Sequence, residues 1–202
     1  MLKIKIGLEE ALVHISWLKE KLYLCSIVEK ASKRRVLRGQ VYRCKLGIGI
    51  GSEENKERPC VILQYNSANH TSPNTIVAPM TRTKSQLPTV AEIKEKKDDK
   101  GNVILTGSVL LGNIVCISKA RIGDYITTLT KKEMQEIDKA IAFSLGIKHY
   151  YDRAVNKYED ASTYIGKLKK SQCTLRELLN AAQVQLGERE KQIQMYENTK
   201  NR

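Results

Sequence analysis

The chain has 202 residues, 41% of them hydrophobic, and carries 35 Lys and Arg against 22 Asp and Glu, a net charge of +13. That is enough apolar material for one domain with additions or for two small ones, and the positive balance favours a polyanionic partner. Cys25, Cys44, Cys60, Cys116 and Cys173 stand too far apart for metal-ligand or redox spacing, His14, His70 and His149 are scattered, and no apolar run reaches membrane-spanning length, which excludes a readable zinc centre, a disulfide framework and a transmembrane helix.

In chain order, Met1-Leu2-Lys3-Ile4-Lys5 is not followed by an apolar signal-peptide core, so a cytoplasmic protein with reduced thiols is expected. Residues 6–31 predict an amphipathic helix. Leu8, Leu12, Ile15, Leu18, Leu22, Cys25 and Val28 recur at three- and four-residue steps, opposite a Lys and Glu face. Such a stripe covers apolar surface of the same chain or of a partner. Lys30 to Arg35 is a basic connector, which suits either phosphate contact or a solvated linker. The positive charge is spread along the chain: residues 1–37 net +4, residues 38–147 net +5 and residues 148–202 net +4.

From Arg38 the period becomes that of strands. Val41, the run Cys60-Val61-Ile62-Leu63 and Thr75-Ile76-Val77-Ala78 read as buried strands. Between the first two lies a loop with glycines at 47, 49 and 51, which delivers Arg58 to the start of the second strand. The strand after it ends on Thr81, so an arginine and a hydroxyl stand at the ends of neighbouring strands. Asn66 to Asn74 reads as a polar turn, Gln86 to Ile93 as extended, and Lys100-Gly101-Asn102 as a hairpin tip. Val103-Ile104-Leu105, Val109-Leu110-Leu111, Ile114 to Ile117 and Gly123 to Thr127 complete the set. Many short strands in so little chain indicate a small barrel or a strongly curled sheet, in an α+β protein. Thr130-Lys131-Lys132-Glu133 is a capping box that opens a helix carrying Met134, Ile137, Ala140, Ile141 and Leu145. Beyond it a heptad seam runs from Ile147 through Ile165, Leu168, Leu175, Leu179, Leu186 and Ile193 to Tyr196, with Gln172 and Arg189 as polar exceptions. A helix of this length needs a partner for its stripe: a second copy, the first helix or another protein. Three regions follow: residues 1–37, residues 38–147 and residues 148–202.

Arg38-Gly39-Gln40-Val41-Tyr42, Gly51-Ser52-Glu53, Arg58-Pro59, Gln64, Asn69, Ser72-Pro73, Ala78-Pro79-Met80-Thr81 and Leu87-Pro88-Thr89 fall in the order and spacing of the MazF/PemK toxins. Over residues 38–147 the chain resembles that family of sequence-selective endoribonucleases from bacterial toxin–antitoxin pairs. The resemblance implies an SH3-like barrel closed by the helix after Thr130. It implies catalytic roles for Arg58, in proton transfer and phosphate stabilisation, and for Thr81, which holds the scissile phosphate. It also implies that the loop at residues 47–57 is a lid over RNA, with Ser52, Glu53, Lys56, Pro88, Thr89 and Asn113 in contact with RNA. Expected partners are single-stranded RNA, a cognate antitoxin and a second copy of the chain, with no cofactor and no metal. Products would be a 2′,3′-cyclic phosphate and a 5′-hydroxyl.

The chemistry of the residues bears on this reading. An arginine fork binds phosphate bidentately and stabilises developing negative charge, although its high pKa makes it a poor base. Each residue also has a plainer role: Arg58 in a surface ion pair, Thr81 and Ser52 in turns, Pro88 and Thr89 on an edge strand. The chain departs from the family at Leu111-Gly112-Asn113-Ile114-Val115-Cys116, where members often carry Leu-Glu-Gln-Ile-Arg-Thr, so a cut-site motif does not carry over. Gln40 stands where Asp is common, and Val90-Ala91 where His-Val is common. Two other readings use the same barrel: a gyrase-binding protein like the CcdB toxins, or an interaction protein acting through its helices.

Overall fold

The computed structural model describes residues 6–200, and within them the side chains of all but Gln194, Tyr196, Glu197, Thr199 and Lys200. The N-terminal pentapeptide and the Tyr196 position of the heptad seam therefore lie outside the described residues. The chain divides into two compact units, residues 1–148 and residues 149–202.

In the first unit, β1 (Gln40–Gly47), β2 (Lys56–Ile62), β3 (Asn74–Thr81), β4 (Val90–Lys97), β5 (Val103–Leu110), β6 (Val115–Ser118) and β7 (Ile122–Thr128) form one sheet. Its order is β4-β5-β3-β2-β1-β7, and every pairing is antiparallel. The sheet curls at β3. The first half of that strand pairs with β6 through Asn74 to Val77, and its last two residues pair with β5, Met80 against Val109 and Thr81 against Ser108. One strand thus serves two neighbours on the same edge, which bends the sheet into a half-barrel. The stretch expected as two strands around Val103 and Val109 is one strand. It bends at Gly107, which sits at a register shift with φ +119°. A Cβ there would lie 2.0 Å from the Thr81 carbonyl oxygen, so only glycine lets β5 pass so close to β3.

Strand alternation produces two apolar layers. Val41, Val61, Leu63, Ala78, Met80, Ile93 and Val109 face the barrel interior, where Met134, Ile137 and Ala140 of α4 (Lys131–Ser144) close it. Tyr42, Cys44, Cys60, Ile62, Val77, Ile117 and Ile122 form the layer on the opposite face. The capping box is present: the Thr130 hydroxyl accepts from the Glu133 amide, and the Glu133 carboxylate accepts from the Thr130 amide at 2.8 Å. The same carboxylate oxygen accepts from Lys96 at 2.8 Å, which fastens the start of α4 to β4. The segment expected as a polar turn after Tyr65 is a short helix, α3 (Asn66–Thr71). Its Asn69 is buried and bonds the Gln64 carbonyl and the Thr75 hydroxyl.

The N-terminal helix breaks at Ile27 into α1 (Leu8–Ser26) and α2 (Val28–Ser32). The stripe read from the sequence is not the face that meets the sheet. Leu8, Leu12, Ile15, Leu18 and Leu22 are all exposed, as are Cys25 and Val28. Leu24 is buried instead, and Trp17, Glu20 and Ile27 are half-buried. These four also follow three- and four-residue steps, so the helix carries two stripes, and the sequence period does not choose between them. Lys119, in the turn before β7, is 1% exposed and donates to the Asn69 carbonyl at 2.6 Å and the Ser32 carbonyl at 3.4 Å, which joins α2 to α3. Burial pushes its pKa down.

The second unit is one helix. α5 (Lys148–Lys200) has 53 residues. Ile165, Leu168, Leu175, Leu179, Leu186 and Ile193 on its heptad seam are exposed.

Candidate functional site

The glycine-rich loop, residues 48–55, hangs between two left-handed residues. Gly47 has φ +97° at the end of β1, and its pairing partner Lys56 has φ +60° at the start of β2. Lysine adopts that conformation only under local strain, so the surrounding structure fixes the loop base firmly. Within the loop, the Glu53 carboxylate accepts from the Ile50 amide at 3.0 Å and its backbone crowds Gly49.

β2 and β3 pair with Cys60 against Pro79, Val61 against Ala78 and Ile62 against Val77. The same register carried two residues further sets Arg58 against Thr81. Alternation from Cys60 and Val77 places both on the sheet face of the Tyr42–Cys60–Ile62 layer. The Arg58 Nε–H donates to the Asn55 carbonyl at 3.1 Å, and the Glu54 carboxylate lies 2.7 Å from the same nitrogen as an ion pair without hydrogen-bond alignment. Both contacts use Nε. The two Nη ends of the guanidinium have no partner among the described residues, so the fork is open for a bidentate anion. The Thr81 hydroxyl oxygen accepts from the Thr83 amide at 3.2 Å, which leaves its O–H to donate outward.

Two depressions flank this pair. The larger, about 860 Å³, is lined by Ser52, Glu53, Glu54, Pro79, Asn113, Cys116 and Arg121, among others. The second, about 740 Å³, has Arg58 and Thr81 in its wall with Arg43, Lys56, Glu57 and Arg82. The Arg58–Glu54 ion pair spans the ridge between them. Arg43 has Glu57 at 3.9 Å, while Lys56 and Arg82 have no carboxylate partner among the described residues. The second depression is therefore a net-positive surface beside an open guanidinium fork, an electrostatic fit for a nucleic-acid backbone.

Most of the residues singled out in the sequence meet here: Arg58, Thr81 and Lys56 on one side of the ridge, Ser52, Glu53 and Asn113 on the other. Pro88 does not. It lines a third depression of about 380 Å³ with residues of β4 and α4, including Glu92 and Phe143. Thr89 is linked to the Asn113 turn through its carbonyl, which accepts from the Leu111 amide at 2.9 Å. Sequence reasoning missed Glu54, Arg121, Arg43 and Arg82. The Glu54–Arg58 spacing of four is a legible charge signal, but it is ordinarily read as a helix pair, and here it bridges a loop and a strand.

Neither depression is lined by a histidine. Cys60, two residues from Arg58, is buried, and its pKa is pushed far up by its hydrogen bond with the Cys44 thiol and by burial, so it stays a thiol and is no nucleophile. Among the described residues no group of three or more His, Cys, Asp or Glu is placed to hold a metal ion, and no helix is long and apolar enough to cross a membrane.

Comparison with known proteins gives the geometry a context. Residues 37–145 match the family described as the PemK-like, MazF-like toxin of type II toxin–antitoxin systems. The chain is 38% identical over 119 residues to the endoribonuclease MazF of Staphylococcus epidermidis, covering 95% of that protein and 57% of this chain. Among solved structures, an endoribonuclease from a mycobacterial species aligns with 30% identity and a TM-score of 0.47, covering 94% of that chain and 56% of this one. A mycobacterial endoribonuclease in complex with its cognate antitoxin aligns with 32% identity and a TM-score of 0.47, covering 96% of that chain and 55% of this one.

Proposed function

This chain belongs to the PemK-like, MazF-like toxin family, and from that premise we propose that it is an endoribonuclease that cuts single-stranded RNA without a metal ion and is held in check by a cognate antitoxin in the cytoplasm. The observation that carries the reading is Arg58 opposite Thr81, with an open fork and an outward O–H beside a basic depression.

In this reading the Arg58 fork and the Thr81 hydroxyl bind the non-bridging oxygens of one phosphate. The 2′-oxygen of the preceding nucleotide attacks phosphorus, its proton leaves, the bond to the 5′-oxygen breaks, and that oxygen takes up a proton. Negative charge grows on the phosphoryl oxygens as the 2′-oxygen closes on phosphorus. A guanidinium already aimed at them stabilises that charge without reorganisation. Glu54 and the Asn55 carbonyl hold Nε and so aim the Nη pair. In the same reading Arg58 also takes part in the proton transfer. Ser52, Glu53 and Asn113 across the ridge, with Lys56 on the Arg58 side, would meet the flanking nucleotides, whose exposed base edges carry the sequence information in single-stranded RNA. Pro88 belongs to a separate contact on the β4 side, and Thr89 joins it to the Asn113 turn through the bond from the Leu111 amide.

A long single-stranded RNA incubated with the full chain in EDTA is expected to be cut at discrete sites, leaving 2′,3′-cyclic phosphate and 5′-hydroxyl ends. Cleavage that stops in EDTA, or ends with a free 3′-hydroxyl, would count against the proposal.

We further infer that α5 pairs in parallel with α5 of a second copy along the exposed seam, where Gln172 sits at an inner position that sets register in coiled coils. A Leu175→Cys variant on a Cys25→Ser, Cys116→Ser and Cys173→Ser background should then form an intermolecular disulfide under mild oxidation, seen as a dimer on a non-reducing gel. A monomer band alone would refute the pairing.

A further inference from the structure

α1 lies outside the stretch that matches the toxin family, yet it touches the base of the site loop. The Trp17 indole lies against Gly47, the hinge at the start of that loop. A Cβ on Gly47 would come within 2.5 Å of the Trp17 ring, so the ring occupies space that any other residue would need for its side chain. The same indole stacks on the Arg121 guanidinium, 5.5 Å from ring centre to Cζ. Arg121 lines the larger depression, and its Nη1 donates to the Leu46 carbonyl at 2.7 Å and the Lys45 carbonyl at 3.3 Å, the two residues before the hinge. Glu20, one turn along α1, forms an ion pair with Lys45. Two direct contacts from one helix, and a third made through Arg121, thus converge on Lys45, Leu46 and Gly47, at the point where β1 becomes the loop.

We propose that Trp17 is a positioning residue for the RNA site: α1 braces the Gly47 hinge and holds Arg121 in the groove wall, which fixes the loop that carries Ser52, Glu53 and Glu54. This rests on the proposed RNA-cleaving function only for its consequence. The brace itself is a property of the loop. Stacking on an aromatic face keeps a guanidinium oriented while its charge stays available to an anion. A loop held at its base also spends less ordering entropy when it binds.

Trp17 is the chain's only tryptophan, so its emission reports this contact alone. The test uses the full chain and the variants Trp17→Ala and Trp17→Phe, with two readouts. The first is amide hydrogen exchange at residues 48–55 without RNA. Trp17→Ala should exchange at least about tenfold faster there, with the β2 and β3 core unchanged, and Trp17→Phe should restore most of the protection. The second is cleavage. Trp17→Ala should raise KM about tenfold and lower kcat less, because binding geometry is lost while Arg58 and Thr81 remain, and Trp17→Phe should again recover. With RNA bound to an Arg58→Ala chain, Trp17 emission should shift along the same isotherm as the anisotropy of labelled RNA. Unchanged loop exchange in a folded Trp17→Ala chain overturns the brace, whatever the RNA does. Faster exchange with no cleavage by the wild type would leave the brace standing and overturn the nuclease reading instead. An equal loss in Trp17→Phe and Trp17→Ala, together with core exchange that rises in step, would reduce Trp17 to ordinary packing and overturn the proposal.

Discussion

Arg58→Ala is expected to lower the rate of RNA cleavage by about a thousandfold or more, while the melting temperature should stay within about 3 °C of the wild type. In the proposed reaction this variant removes the group that would meet the transition-state charge; one such donor is worth about 10² to 10³ in kcat, and Arg58 offers two open N–H ends with a full charge. The small stability change follows from its setting. Its side chain is about a third exposed, its ion pair with Glu54 lies in a loop rather than in either apolar layer, and partly solvated pairs contribute little. Arg58→Lys separates charge from geometry. It keeps the cation and loses the fork, and is expected to retain about one per cent of the activity. Single-turnover rates on one RNA substrate, with thermal melts of the same preparations, check both halves. An Arg58→Ala protein that cleaves normally removes the assigned role. One that is unfolded shows instead that the residue is structural.

The second large effect is on stability. Glu133→Ala is expected to cost about 2–4 kcal/mol, because it removes a helix cap and leaves a largely buried lysine without its partner. One Glu133 oxygen accepts from the Lys96 ammonium, the Thr130 amide and the Thr130 hydroxyl, each at 2.8 Å. The side chains of Lys96 and Glu133 are 18% and 9% exposed. In a unit of this size that corresponds to a fall of roughly 5–15 °C in melting temperature. The effect depends on pH. Burial pushes the Glu133 carboxyl up, but the bonds from Lys96 and Thr130 outweigh it and hold the group below its ordinary value of 4.5. A carboxyl with a depressed folded-state pKa stabilises fully above its unfolded value and loses that contribution as pH falls through the folded one. The gap between wild type and Glu133→Ala should therefore be widest at neutral pH and narrow below about pH 4.5. Melts across that range check it, and a gap that is constant or grows in acid would show that the charge of Glu133 is not what stabilises α4.

How much of this was legible in the sequence depends on whether a feature is local. Thr130 and Glu133 announce a capping box because the two bonds close within four residues, and the structure contains both. The strands around Val41, Val61 and Val77 were readable because alternation and β-branched residues persist over several positions. Arg58 and Thr81 could be placed at the ends of neighbouring strands from chain order, and the register then sets them across from each other. Contacts made by tertiary packing were not readable. α1 carries two stripes with the same period, and the one that docks is chosen by Trp17 fitting a glycine whose missing side chain matters only once β1 and α1 meet. Nothing local marks Lys119 among the chain's many lysines, yet it is buried against two carbonyls from distant segments. Glu54 had no reading of its own until the loop folded back on Arg58. The Gly107 crossing is of the same kind, since the reason for that glycine is the Thr81 carbonyl 26 positions earlier.

In the proposed reaction the Arg58–Thr81 pair directs the RNA's own 2′-hydroxyl at a phosphate. The most direct measurement maps the cut sites of the full chain in EDTA, then repeats the reaction on a synthetic RNA carrying a single 2′-deoxy nucleotide on the 5′ side of one cut. This one site should become uncleavable while the RNA still binds with unchanged affinity and every other site is cut as before. Cleavage that continues at the deoxy position would mean that water or a protein group is the nucleophile, and would rule out attack by the 2′-hydroxyl.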